Sequence, residues 1–251
     1  MYAVHLSTGY GAPVADQARR VPLNRDRVLA AAVDLADAAG IESLSMRRLA
    51  QELGVVPMAL YKHVSDKDAL LDGMVDAVLG EIEPGAPGSD WRAAVQQRVL
   101  GARRAVLRHP WARRAIESRT SRTPVVLDHM EALAAAFRAG GFSADLTHHV
   151  MHTLGNRIWG FSPELFDAPH DPAAPVPGPA EQEVRAAEFG RRYPTVLEIA
   201  VAATGGDLGA VGGGCDEQFE FEFALDLVLD AVERLRDQGW TSAGAPRRGG
   251  A

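Results

Sequence analysis

The segment from Leu44 to Lys67 constrains the fold more than any other part of the chain, because it predicts two short helices joined by a tight turn. Gly54 ends the first helix, and Pro57 begins the second at a position where the missing N–H of proline carries no cost. This layout is a helix-turn-helix, which places its second helix in the major groove of DNA. The first helix has apolar residues at helical spacing, namely Leu49, Ala50 and Leu53.

The second helix divides into a core-facing side and a polar side. Leu60 and Val64 are available for the core. The opposite side carries residues able to meet phosphates and base edges, namely Met58, Tyr61, Lys62 and His63. For Tyr61 a buried core aromatic is the alternative interpretation. The shape of this segment predicts DNA binding.

The charge balance limits where DNA could bind. The chain of 251 residues has a formal net charge of −7, whereas a general polyanion binder is normally basic throughout. Any DNA contact must therefore be local. The only two lysines in the chain, Lys62 and Lys67, both lie within the segment described above.

Composition also bears on compartment and on metal chemistry. There is no run of about 18 apolar residues, and the first 20 residues lack the pattern of a signal peptide. We therefore expect a soluble cytoplasmic protein with no membrane contact. The single cysteine, Cys215, excludes a disulfide framework or a cysteine-rich zinc site within one chain, and a free surface thiol is expected.

Helical patterns continue along the rest of the chain. Asn24 is a plausible N-cap for a helix that ends at Gly40. Ser65 and Asp68 resemble a capping box opening a helix through Ile82. Further helices are predicted for Trp91 to Arg108, a short stretch after Pro110, Val125 to Ala139, Ala144 to Trp159, Glu181 to Arg192 and Glu217 to Gln238.

The domain organisation follows from breaks in these patterns. The sequence PGAPG at 84–88 interrupts the helices and is the predicted domain boundary. We expect an all-α fold with a flexible arm at 1–20, a three-helix DNA-binding domain at 21–83, a larger helical domain at 84–240 and a flexible tail at 241–251. Arg19 and Arg20 suggest that the arm touches phosphates, although an arm without a role fits equally well.

Residues 24–82 resemble the N-terminal domain of the tetracycline-repressor (TetR) family, and the pieces LSMRRLAQELGV and ALYKHVSDKDALLD carry the match. A weaker resemblance to the C-terminal domain of the tetracycline repressor's own branch rests on Trp91, GGFS at 140–143 and FEFALDLVLDAVERL near the end. The resemblance implies an all-helical homodimer that represses transcription and leaves its operator when a small molecule binds.

By resemblance, the DNA-facing roles fall on Ser45, Arg47, Pro57, Met58, Tyr61, Lys62, His63 and Lys67. Ser45 and Lys67 lie near helix N-termini, which favour phosphate. Arg47 is the predicted base reader, because its guanidinium matches guanine O6 and N7. The neighbouring Arg48 is expected to face solvent or an acidic residue.

The helix from 144 to 159 is the predicted effector region. It mixes polar, aromatic and small residues at three- and four-residue spacings, as ligand pockets do. The proposed ligand-binding residues are His148, Met151, His152, Gly155, Asn156 and Trp159, with Thr147 adjacent. Interior or interface histidines are the equal alternative. His148 and His152 could bind a metal, but no third ligand is evident, so neither a metal nor a cofactor is expected.

The last long helix is expected to form the dimer interface, because its apolar surface is broader than one face of a monomer needs. Its candidate residues are Phe219, Phe223, Leu225, Leu227, Val228, Ala231 and Leu235. Burial within a monomer is the alternative. A twofold dimer predicts a palindromic operator.

Tetracycline itself is not the expected effector. Where the tetracycline repressor has a magnesium-binding histidine, the Ile116-Glu117 region offers none, and Glu164 is only a candidate acidic counterpart. We expect a larger, partly aromatic small molecule. The alternatives are a DNA-binding regulator controlled by a protein partner or acting without ligand and, least favoured, an enzyme, for which no nucleophile elbow or cofactor loop is present.

Overall fold

The computed structural model describes residues 22–86, 88, 90–119, 122–159, 178–203 and 216–244, without the side chains of 156–159, 179, 182, 183, 185, 186 and 203. Every regular element in these ranges is helical, which confirms the all-α prediction. Among the described helices, none is both long enough and apolar enough to cross a membrane. Cys215 and Glu164, together with the basic arm, lie outside the described residues.

The helices closely follow the predicted segments. They are α1 Arg25–Ala39, α2 Met46–Glu52, α3 Pro57–Leu60, α4 Lys67–Gly80, α5 Trp91–Arg108, α6 Ala112–Glu117, α7 Pro124–Ala139, α8 Ala144–Trp159, α9 Pro179–Arg192, α10 Pro194–Ala203 and α11 Glu217–Asp237. The sequence did not predict α10. It also extended α4 to Ile82, whereas the helix ends at Gly80 and Ile82 is buried in the turn that follows.

The chain divides into two compact units, Met1–Val75 and Asp76–Ala251. The division falls within α4, which contributes residues to both units, whereas the predicted boundary lies at 83–84.

In the first unit, α1 begins at the predicted N-cap. The Oδ1 of Asn24 accepts a hydrogen bond from the amide of Arg27 at 2.8 Å. The helix ends at Gly40, whose φ of 77° is a conformation that favours glycine. The apolar core of this unit combines α1, α2, α3 and α4, and its buried residues include Val28, Leu29, Ala32, Leu35, Ala36, Leu49, Leu60, Val64, Leu70 and Met74.

The N-terminus of α4 differs from the predicted capping box. The cap is Asp66, whose Oδ1 accepts a hydrogen bond from the amide of Ala69 at 2.7 Å. Ser65 instead donates its hydroxyl to Asp66 Oδ2 at 3.1 Å. These hydrogen bonds, with that of the Ala69 amide the largest effect, lower the pKa of Asp66. The capping box was wrong because Asp66 is equally suited to cap and lies nearer to the first helical residue.

In the second unit, α5 lies against α7 and α8 and exchanges polar contacts with α11. Trp91 at its start meets Phe142 edge-to-face with ring centroids 4.7 Å apart. Phe137 of α7 is 5.2 Å from Phe142, also edge-on. A Cβ added to Gly140 would lie 2.5 Å from Trp91, so this aromatic cluster requires glycine at the end of α7.

Arginines connect α5 to α11. Arg92 Nη2 lies 2.6 Å from Asp230 Oδ1. Arg103 is buried, donates Nη2 to the carbonyl of Glu217 at 3.1 Å and stacks 4.4 Å from the ring centroid of Phe221. Because buried charge is tolerated only when paired or hydrogen-bonded, Arg103 fixes the register between the two helices.

Replacing Asp66 with alanine is expected to lower the thermal unfolding midpoint more than Ser65→Ala, because only Asp66 caps α4. The lowered pKa of Asp66 means that its contribution is present above the ordinary aspartate pKa and is lost as the pH falls through the folded-state value. The difference in unfolding midpoint between wild type and Asp66→Ala should therefore shrink at acid pH. Circular dichroism melts at several pH values measure this, and a larger effect of Ser65→Ala would contradict it.

Candidate DNA-binding surface and ligand-binding region

The first helix of the motif is α2, and Ser45 is its N-cap. The Oγ of Ser45 accepts a hydrogen bond from the amide of Arg48 at 3.2 Å. Leu49 and Ala50 are buried, which leaves Arg47 and Arg48 exposed. The exposed Arg47 thus lies in the first turn of α2, next to a helix N-terminus, where phosphates are favoured.

The turn between the helices is set by Gly54. Its φ of 67° lies in the left-handed region, where glycine carries no Cβ penalty. The amide of Val55 then donates to the carbonyl of Ala50 at 2.9 Å, which closes the end of α2. Pro57 occupies the first position of α3, as predicted.

The second helix of the motif, α3, is the one expected to enter the major groove and is here called the recognition helix. It is shorter than predicted. It ends at Leu60, and a turn follows in which the amides of His63 and Val64 both donate to the carbonyl of Leu60, at 2.8 and 3.0 Å. Leu60 and Val64 are buried as expected. The predicted contact residues after Leu60 are therefore presented by a turn rather than by continuous helix.

Most of the predicted DNA-facing residues around α3 are exposed. Met58 is 71% exposed and Tyr61 45%, so the alternative of a core tyrosine is wrong. Lys62 is exposed and His63 is half-buried. Val56, just before α3, is 67% exposed and adds an apolar group suited to a thymine methyl.

Lys67 opens α4 and is exposed. With Lys62 it supplies both ammonium side chains of the entire sequence. The first unit therefore presents these two lysines and Arg47 around a short exposed helix. This arrangement is typical of a helix-turn-helix domain that binds DNA.

In the second unit, α8 has a buried face and an exposed face. The buried face carries Leu146, Thr147, Val150 and Leu154. Of the predicted ligand-binding residues, His148 and His152 are exposed and Met151 and Gly155 are half-buried. The side chains of Asn156 and Trp159 lie outside the described residues. Both histidines lie on the exposed side of α8, so the alternative of interior histidines does not hold within one chain.

A cavity of about 550 Å³ lies on a different side of α8. It is lined by Leu146, His149, Val150, Thr153, Val232, Leu235, Trp240 and Ser242. None of the predicted ligand-binding residues is among them. Sequence reasoning missed this cavity because Trp240 and Ser242 follow α11 and carry no helical periodicity that connects them to α8.

Two polar side chains of α8, those of Asp145 and Thr147, differ in their hydrogen bonding. Asp145 Oδ2 accepts a hydrogen bond from the amide of Ser242 at 2.6 Å, and Oδ1 accepts from its hydroxyl at 2.8 Å. These bonds, the backbone one first, lower the pKa of Asp145. Thr147 Oγ1 is buried and has no hydrogen-bond partner within the described part of the chain.

The predicted interface helix α11 carries an exposed apolar stripe. Phe219, Phe223 and Leu227 are 61%, 52% and 54% exposed, and the two phenyl rings stack with centroids 6.2 Å apart. Leu225 is only 1% exposed, so its assignment to the interface was wrong: it packs within its own chain. The remaining candidates, Val228, Ala231 and Leu235, are half-buried.

Comparison with protein families agrees with this arrangement. The family described as "Tetracyclin repressor-like, C-terminal domain" matches residues 83–236, and "Bacterial regulatory proteins, tetR family" matches residues 28–74. The first match alone spans more than half of the chain. The chain belongs to the TetR family.

Individual relatives are also similar. An HTH-type transcriptional regulator from Saccharopolyspora erythraea is 40% identical over 144 residues, which are 54% of this chain and 61% of that relative. The HTH-type transcriptional repressor DrrR1 from Streptomyces coeruleorubidus is 32% identical over 225 residues, 85% of this chain and 78% of that relative. ActR from Streptomyces coelicolor, solved in complex with (S)-DNPA, is 27% identical with a TM-score of 0.60, covering 84% of this chain and 98% of that one.

Replacing Arg47 with alanine is expected to weaken binding to cognate DNA and to relax discrimination at one base position by about 1–3 kcal/mol, because a bidentate guanine contact is lost. The adjacent exposed Arg48 provides a matched control that removes the same charge. Fluorescence anisotropy on the DNA upstream of the gene, with single-base variants, measures both effects. Equal losses in Arg47→Ala and Arg48→Ala would indicate a general charge effect instead of base reading.

Proposed function

We propose that this protein is a ligand-responsive transcriptional repressor, which binds a palindromic operator as a homodimer and is released by a small-molecule inducer. One observation carries the proposal. In a chain of net charge −7, both lysines and Arg47 surround a short, exposed helix that follows a tight glycine turn. Local positive charge on such a helix suits DNA and not polyanions in general.

The contacts divide into positioning and reading roles. Ser45 and Lys67 contact phosphates at helix N-termini, and Tyr61 and His63 add hydrogen bonds to the backbone. Arg47 reads a guanine, while Pro57 and Met58 bring apolar surface to the base edges. Lys62 lies where it meets either a base or a phosphate.

The homodimer is supported by the surface of the second unit. Within the chain α11 contacts α8 and is hydrogen-bonded to α5. The side chains of Phe219, Phe223 and Leu227 on α11 stay exposed and are apolar. Contiguous exposed apolar groups of this kind mark interaction sites, and a second copy would bury them isologously. Two recognition helices related by a twofold axis then require a palindromic operator.

The effector is proposed to bind along α8, at the set His148, Met151, His152, Gly155, Asn156 and Trp159. Because His148 and His152 are exposed on one chain, a second copy must complete the enclosure. The similar protein DrrR1 is described as a transcriptional repressor, which supports repression. The similar protein ActR was solved in complex with (S)-DNPA, which supports a small-molecule effector. Release requires that the effector bind one conformation of the dimer more tightly than the other.

A gel-shift experiment on the DNA upstream of the gene tests the regulatory function. The full chain should retard this fragment, and a compound found by thermal stabilisation in a metabolite panel should release it. Stabilisation without release would contradict the inducer mechanism. If no compound stabilises a DNA-bound protein, control by a protein partner or no control at all takes the place of the proposed effector.

Phe223→Asp is expected to convert the dimer to a monomer, because it places a charge in the apolar stripe of α11. Operator affinity should fall with it, since the second half-site is lost. Leu127→Asp on α7 is the matched control, because Leu127 is 50% exposed and lies on another helix. Sedimentation velocity gives the mass of both variants. A dimeric Phe223→Asp, or dissociation by both substitutions, would overturn the assigned interface.

A further inference from the structure

His148 and His152 form a pair on the exposed face of α8. Their ring centroids lie 4.7 Å apart with an interplanar angle of 73°, one helical turn from each other. Within the described residues neither ring takes part in a hydrogen bond, so each neutral imidazole keeps a nitrogen lone pair available. Two imidazoles at this separation on a solvent-facing helix can approach the same ion.

The spacing and the donor type select a class of ion. Histidines at positions i and i+4 of a helix lie on one face and present two nitrogens to a common metal. Imidazole suits zinc, copper and nickel, whereas magnesium and calcium require oxygen ligands. The pair therefore fits a divalent transition metal.

One chain supplies only half of such a site. In the described part of the chain, no group of three or more histidine, cysteine or carboxylate side chains is arranged to hold a metal. Asp145, a carboxylate on the same helix, is engaged by the amide and hydroxyl of Ser242 at 2.6 and 2.8 Å. A structural zinc site has four ligands, so two more must come from elsewhere.

We propose that the His148–His152 pairs of two copies of this chain together bind one divalent transition metal ion, with zinc the best fit, at the twofold axis of the dimer. Twofold symmetry repeats each residue, so two pairs supply the four nitrogens of a tetrahedral site. The sequence-based expectation of no metal depended on the missing third ligand, and a second copy removes that objection.

This inference rests on the homodimer proposed above and assigns His148 and His152 to a metal in place of the effector, whose contacts then fall on the other residues of the α8 set. Within one chain α8 contacts α11, and Phe219, Phe223 and Leu227 of α11 are exposed. The histidine pair would add a polar link to the same interface. Zinc would thus stabilise the dimer, because an ion that binds only the assembled form shifts the equilibrium towards it.

The test uses the full-length, tag-free protein, stripped with EDTA and dialysed, and then titrated with zinc chloride by calorimetry. Wild type should bind one zinc ion per two chains and gain thermal stability. The double variant His148→Ala/His152→Ala should bind zinc more than about tenfold more weakly and lose that gain. His149→Ala is the matched control, because its ring lies 5.1 Å from His148 but outside the i, i+4 pair.

Each other outcome overturns a defined part of the proposal. A dimer in EDTA that binds no zinc overturns the metal site and leaves the dimer intact. A protein that stays monomeric with and without zinc overturns the dimer and the shared site together. One zinc ion per chain, or equal losses in His149→Ala and the double variant, overturns the assignment of ligands. Circular dichroism of each variant confirms that loss of binding is not loss of folding.

Discussion

The second unit depends on the packing of α5, whose buried side includes small residues. Gly101, Ala102 and Ala105 are buried, and a Cβ on Gly101 would lie 3.1 Å from Ile82. Extra volume in a packed core typically costs 1–3 kcal/mol. Since α7, α8 and α11 all contact α5, the shape of its surface determines which of their faces are buried. It also determines which faces remain available for other molecules.

The DNA-binding surface shows how an acidic protein presents positive charge locally. The core of the first unit holds α2 and α3 through Leu49 and Leu60, both fully buried. Because those two side chains fix the helices, the polar side of each helix faces solvent. Its orientation does not depend on charges elsewhere in the chain. The screening length at physiological salt is about 8 Å, so nearby cations outweigh a net charge spread over the rest of the chain.

Periodicity and caps predicted most helix ends, and α5 and α8 have the bounds that their patterns indicated. The predictions that failed concern positions where the packing of the folded chain, and not the local sequence, decides between alternatives. Asp66 displaced Ser65 as the cap because both can accept a hydrogen bond. The helix α10 begins at Pro194 and has few polar residues to mark a face. The sequence placed His148 and His152 on one side of a helix but could not tell core from surface, since burial depends on which neighbours pack against the opposite side.

The scarcity of lysine has a consequence for the chemistry of the chain. Both ε-amino groups, on Lys62 and Lys67, belong to the surface proposed to face DNA, and every other basic side chain is an arginine or a histidine. Any process that acylates lysine side chains therefore acts on that surface alone. Acylation removes positive charge, so it would alter operator contacts while leaving the side chains of the second unit chemically unchanged.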